Sequence, residues 1–291
     1  MSNPDQTQRF LFDDTHIRGE ITGLHSSYQE VLSKHNYPEP VQRLLGEFIA
    51  AVALLSDTLK FRGTLSLQVR GAGQVRMLMA ECRNHEALRA IAQYNDDFSP
   101  EVDLLGKGQM AITIEPEKGK RYQGVVSIDD HQHSLERVLE DYFRQSEQIR
   151  TRVWLAADGQ QAAGLLLQAM PQSASEGSLE MGDDDAWDRV VHLADTLTET
   201  EMLSLDNATL LFRLFHEEKV RVFPGRDLRF ECTCTRERCG NAILMLGQQE
   251  AEQIIAEEGY IQSDCQFCRQ QYRFDQADVE ALFADLRHRT N

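Results

Sequence analysis

The sequence predicts an α+β fold in three parts: an N-terminal mixed α/β core domain with a hairpin-built sheet (residues 1–175), an acidic helical linker (176–231) and a small C-terminal domain (232–291). Three observations predict it. Paired runs of alternating apolar and polar residues recur through the first 170 residues, with helical runs between them. That is the pattern of hairpin pairing, not of a doubly wound parallel sheet. The composition turns polar and acidic after Met170-Pro171, and four of the six cysteines fall in two tight pairs after residue 231.

The first long periodic segment runs from Pro40 to Lys60. Val41, Leu44, Leu45, Phe48, Ile49, Val52, Leu55 and Leu59 recur at helical spacing, and Pro40 suits a helix start. So wide an apolar surface predicts a buried core helix. Leu65–Val69 and Val75–Met79 alternate about Gly71-Ala72-Gly73 and read as a hairpin. A phosphate loop is a poor reading of those glycines: no third Gly, no Lys-Ser or Lys-Thr and no helix signal follows. Met110–Glu115 and Tyr122–Ile128 predict a second hairpin about Pro116–Gly119. Leu135–Ile149 reads as a helix with Leu135, Val138, Leu139, Tyr142 and Phe143 on one side. Thr151–Ala156 and Ala163–Gln168 form a third strand pair about Asp158-Gly159.

Gln172–Ser178 is linker-like, and Asp183-Asp184-Asp185 makes an acidic helix start. From Glu176 to Glu231 there are 14 Asp/Glu against 6 Lys/Arg. Trp187, Val190, Val191, Ala194 and Leu197 share one helical face, and Leu203, Leu205, Leu210, Leu211, Leu214 and Phe215 continue the apolar content. Short helices are marginal without packing, so this segment must rest its apolar side on the preceding domain.

The tail holds an acidic helix near Gln248–Glu258, a strand over Gln271–Phe274 and a closing helix from Asp275. A domain this small needs a staple. Cys232-Thr233-Cys234 and Cys265-Gln266-Phe267-Cys268, thirty residues apart, offer four thiolates, the donor set of a tetrahedral zinc site. In an extended segment Cys232 and Cys234 face the same way, with Cα atoms about 6.5–7 Å apart, at or past the upper limit for a disulfide. Metal binding and oxidation therefore demand different backbones. Cys239 is surplus to a filled tetrahedron, Cys82 reads as a small core residue, and His131-x-His133 reads as a solvated loop.

Composition narrows the function. The chain is 41% hydrophobic and 26% charged, without a membrane-length apolar run or a secretory N-terminus, which predicts a cytoplasmic protein with no membrane partner. A net charge of −17, and 10 acids against 6 bases in the last sixty residues, argue against nucleic acid. No nucleotide loop, Ser/His/Asp set or carboxylate pair stands out, so no enzyme activity is expected. Four thiolates alone suit a permanent structural zinc, a zinc ribbon would share them, and a Cys-x-x-Cys could serve a thiol–disulfide oxidoreductase.

With Phe230-Glu231-Cys232-Thr233-Cys234-Thr235-Arg236-Glu237-Arg238-Cys239 around the first pair, the chain resembles the heat shock protein 33 family of redox-regulated chaperones. The resemblance extends through Arg18-Gly19-Glu20, Leu59–Gly63, Arg121–Val126, Leu139–Phe143, Met170-Pro171, Leu197–Thr200 and Arg213–Glu218. It implies an α/β core, a helical linker folded over it and a C-terminal zinc domain with Cys232, Cys234, Cys265 and Cys268 as ligands. It further implies that oxidation pairs Cys232 with Cys234 and Cys265 with Cys268, expels zinc, unfolds the linker and unmasks an ATP-independent holdase that dimerises. Unfolded or oxidatively damaged proteins would then be its clients. Trp187, Val190, Leu197 and Leu211, or the core surface beneath them, are the expected client-binding residues.

Overall fold

The computed structural model describes residues 5–60, 62–95, 99, 103–129, 134–170 and 185–289. Gln172–Ser178, Asp183, Asp184 and the His131-x-His133 pair lie outside them. The chain divides into two compact units, Met1–Glu231 and Cys232–Asn291.

In the first unit, β1 (Gln6–Phe12) and β2 (Ile17–Leu24) pair antiparallel and lead into α1 (Ser26–Leu32) and α2 (Glu39–Asp57). A meander follows: β3 (Gly63–Gly71), β4 (Val75–Arg83) and β5 (Ala87–Tyr94), then β6 (Gly108–Pro116) and β7 (Tyr122–Ile128). After α3 (Leu135–Tyr142) come β8 (Thr151–Ala157) and β9 (Ala162–Ala169). Beyond residue 184 the chain forms α4 (Ala186–Ala194), α5 (Glu199–Ser204) and α6 (Asn207–Phe215), then the short strands β10 (Val220–Val222), β11 (Arg226–Asp227) and β12 (Arg229–Phe230).

Among the described residues these strands make two six-stranded sheets. One has the order β10-β1-β2-β9-β8, with β11 also on β1; the other runs β12-β5-β4-β3-β6-β7. The expected hairpins are all present: Leu67 faces Ala80, Ile112 faces Gly124, and Trp154 faces Leu165. The helix α2 packs against strands of both sheets. Every residue from Phe48 to Asp57 is buried, which is why its sequence is apolar almost all the way round.

The segment expected as one helix over Leu135–Ile149 stops being α-helical at Tyr142 and continues as a π-turn over Phe143–Glu147. Arg144–Gln148 carries no apolar face to bury. Instead the Tyr122 and Tyr142 hydroxyls both donate to Glu147 Oε1, at 3.0 and 3.2 Å, and Gln148 closes the turn in the left-handed region at φ 56°.

The helices α4 and α6 lay their apolar faces on the outer side of the β1–β2–β9 sheet. Val190 (0% exposed) and Leu211 (3%) join Phe10, Phe12, Ile21 and Leu165 in one cluster, with Trp187 and Leu197 partly buried at its margin. Phe215 meets Phe12 edge-on, ring centres 5.0 Å apart. Local signals start the helices: Thr198 and Glu201 form a reciprocal capping box for α5, and Asp206 Oδ1 accepts from the Thr209 amide at 3.0 Å for α6. Ionic clips ring the cluster, Asp195 accepting from Arg152 at 2.8 Å and from Trp154 Nε1 at 3.1 Å.

The second unit comprises α7 (Arg236–Leu246), α8 (Gln248–Glu258), the antiparallel pair β13 (Ile261–Asp264) and β14 (Gln271–Phe274), and α9 (Gln276–Arg289). Among the described residues its buried core is six: Ile243, Ala251, Ile261, Phe274, Val279 and Phe283. A core this thin is marginal without a covalent or metal staple.

Candidate metal centre

Cys232 and Cys234 lie in the segment before α7, without helix or strand assignment. Arg238 fixes it from the first turn of α7, its Nη1 donating to the Thr233 carbonyl at 3.0 Å and to Thr233 Oγ1 at 2.8 Å. Thr235 caps the helix by accepting from the Arg238 amide at 3.2 Å. Clamped at its middle residue, the Cys-x-Cys segment is left with both sulfurs for the cluster.

The second pair sits on a knuckle after β13. The Cys265 amide donates to the Gln270 carbonyl at 2.9 Å, and the Arg269 amide donates to the Cys265 carbonyl at 2.8 Å. Arg269 takes a left-handed conformation, φ 62°, to close the loop.

The four sulfurs lie within 4.8 Å of one another. Cys232 Sγ is 3.6 Å from Cys265 Sγ, and Cys234 Sγ is 3.4 Å from Cys268 Sγ. A tetrahedral zinc site with 2.3 Å bonds has sulfur–sulfur edges of about 3.8 Å. The donor set and its spacing thus fit a four-thiolate metal ion. Burial, reinforced by the neighbouring thiols, pushes the Cys268 thiol upward; a metal entering here must displace protons.

The two short contacts cross between the sequence pairs: neither joins Cys232 to Cys234 or Cys265 to Cys268. Cys239 lies on α7, packed against the small core and outside the converging group. Cys82 is 1% exposed on β4, its thiol pushed up to about 12 by burial. An oxidoreductase Cys-x-x-Cys stands at a helix N-terminus, whereas Cys268 is followed by β14, a strand.

One residue had no sequence expectation attached to it. Tyr272, on β14, places its hydroxyl 3.3 Å from Cys234 Sγ and 3.2 Å from the Cys234 carbonyl oxygen. Its contact with Cys234 pushes the phenol up to about 12. An aromatic four residues past a Cys-x-x-Cys is ordinary β-strand composition, and only the folded knuckle brings it to the sulfur.

The sequence model of the family described as Hsp33 protein matches residues 5–275. A 33 kDa chaperonin of Azotobacter vinelandii is 50% identical over 293 residues, covering 98% of this chain and 96% of that protein. One from Pseudomonas savastanoi pv. phaseolicola is 49% identical over 289 residues, covering 98% and 95%. The crystal structure of a 33 kDa chaperonin from Thermotoga maritima superposes with a TM-score of 0.81 over 97% of this chain and 98% of that one. At 18% identity that likeness speaks to fold alone.

Proposed function

This chain belongs to the Hsp33 protein family of chaperones, and on that premise we propose that it is a redox-regulated, ATP-independent holdase, silent while reduced and metal-bound. The observation that carries the reading is the convergence of four sulfurs within 4.8 Å in a unit with a six-residue core. Cys232 directly continues the segment whose helices cover an apolar sheet face.

Zinc is the ion proposed for Cys232, Cys234, Cys265 and Cys268, and when bound it would keep all four sulfurs as thiolates at neutral pH. A thiolate is the form that attacks peroxide. One cysteine sulfur takes an oxygen and becomes a sulfenic acid, releasing hydroxide. A second thiolate attacks that sulfur, the S–S bond forms, and another hydroxide leaves. Two electrons pass from the sulfur pair to the peroxide. The pairs proposed are Cys232 with Cys234 and Cys265 with Cys268, which requires the Cys-x-Cys backbone to contract. Once paired, the sulfurs no longer hold the ion and the second unit loses its staple.

The segment from residue 176 to 231 then comes away from the core domain 1–175. Trp187, Val190, Leu197 and Leu211 become available to unfolded clients, together with the sheet face they cover. An apolar surface of that kind is what a promiscuous binder offers, and acidic charge keeps it dispersed. The open form is proposed to dimerise and to act in the cytoplasm, without nucleic acid or membrane. Among the described residues no helix is long and apolar enough to cross a membrane.

The test follows zinc release, free thiols and suppression of a model client's aggregation in one peroxide time course, with disulfides mapped at the end. The three signals are expected to move together, with the linker losing helicity. Disulfide formation and metal loss without protection of the client would overturn the switch, and metal retained under peroxide would leave a permanent structural zinc as the better reading.

A further inference from the structure

Tyr272 reaches the metal centre from outside its ligand set. Its strand is held in register by β13, with Tyr272 opposite Ser263. The phenol donates to the Cys234 carbonyl at 3.2 Å and lies 3.3 Å from Cys234 Sγ, so its one proton has two acceptors within reach, and a metal-bound thiolate is the more strongly charged of them. We propose that Tyr272 is a positioning residue of the redox switch: its hydroxyl donates to the Cys234 thiolate, fixing that sulfur in the metal site and slowing its attack on oxidants.

The physical reason is direct. Attack on peroxide uses a sulfur lone pair, forming an S–O bond as the O–O bond breaks and hydroxide departs. A hydrogen bond donated into that lone pair stabilises the thiolate ground state and is lost as the sulfur's charge is consumed. Groups just outside a metal's ligand shell tune affinity and reactivity in this way. Cys234 is thereby set apart from a bare thiolate, and the switch gains a threshold: weak oxidant leaves it closed. The inference rests on the redox reading proposed above and names a residue that governs its speed.

The experiment uses full-length, metal-loaded protein. Tyr272→Phe keeps the ring and removes the hydroxyl; a ring-fluorinated tyrosine at the same position keeps the shape and makes a stronger donor. Zinc release under peroxide is followed with a chromogenic indicator. It is expected to quicken on the order of ten-fold in Tyr272→Phe and to slow in the fluorinated protein. In cobalt-loaded samples the sulfur-to-metal charge-transfer band is expected to move to lower energy in Tyr272→Phe and to higher energy in the fluorinated protein. A merely structural role would not produce that opposed pair of shifts. If Tyr272→Phe does not take up metal, the fluorinated protein alone decides by its rate and its band. Equal rates and coincident bands, in a wild type that does release zinc and protect clients, overturn the role of Tyr272 and leave the switch standing. A wild type that keeps its metal under peroxide overturns both.

Discussion

A β-carbon on Gly19 would stand 2.0 Å from Cζ of Phe10, because the Phe10 ring lies across the glycine of the neighbouring strand. The ring occupies that space so that it can also lie 6.0 Å from Phe215 of α6. Gly19→Ala must expel the ring, at about 1–3 kcal/mol for overpacking. The expected outcome is a lower melting temperature and faster amide exchange in α4 and α6, with chaperone activity appearing at lower oxidant. Unchanged exchange in those helices would contradict the packing argument.

Apolar burial should outweigh the ionic clips in holding α4–α6 on the sheet. Leu211→Ala removes a side chain 3% exposed and is expected to cost about 2–5 kcal/mol. Asp195→Ala removes the partners of Arg152 and Trp154 Nε1 at a half-exposed site, and about 1 kcal/mol is expected. Denaturant midpoints for the two variants give the ranking, and raising salt should weaken the clip in the wild type and in Leu211→Ala but have no clip to act on in Asp195→Ala.

The first unit should lose stability as pH rises. Burial lifts Glu20 from 4.5 to about 8, against the opposing pull of Arg9, with Asp57 beside it. Burial lifts Glu47 to about 8 as well, aided by Glu136 and Glu199. A carboxyl whose folded value is raised binds its proton more tightly when folded. Its stabilisation is full below 4.5 and is lost by about 8. Melting temperatures should fall from pH 5 to pH 8.5, and Glu20→Gln with Glu47→Gln should flatten the slope.

Chelation should divide the molecule. Without the ion, the six-residue core of the second unit is expected to melt, with loss of α7–α9 helicity. Amides of β3, β4 and β6 should stay protected, since their core contains α2. Tail helices that survive chelation would show that the thin core suffices alone.

Much of this was legible beforehand because the signals were local. The helix α2 announced itself by apolar residues on all sides, and three hairpins by alternation about Gly turns. The four cysteines converged as their spacing implied. What escaped notice had its cause in tertiary context. The β1–β2 hairpin carries Arg9 opposite Glu20 in its ladder, and a fully buried Glu20 breaks the alternation that identifies a strand. The strand β5 reads Ala87-Leu88-Arg89-Ala90-Ile91-Ala92-Gln93-Tyr94, its polar face carrying just Arg89, paired with Glu81 across the strands, and Gln93 near its end. The helix α7 is amphipathic only weakly, since few of its residues have a core to meet.

The strands β10, β11 and β12, spanning hardly more than ten residues, finish two separate sheets: the first two border β1 and the last runs parallel to β5. Detach that piece and each sheet is left with a row of unanswered amide and carbonyl groups. Such rungs are identical in every polypeptide, so a stranger's extended chain could dock on them whatever its side chains. The seam that finishes the fold therefore also hides two generic sockets.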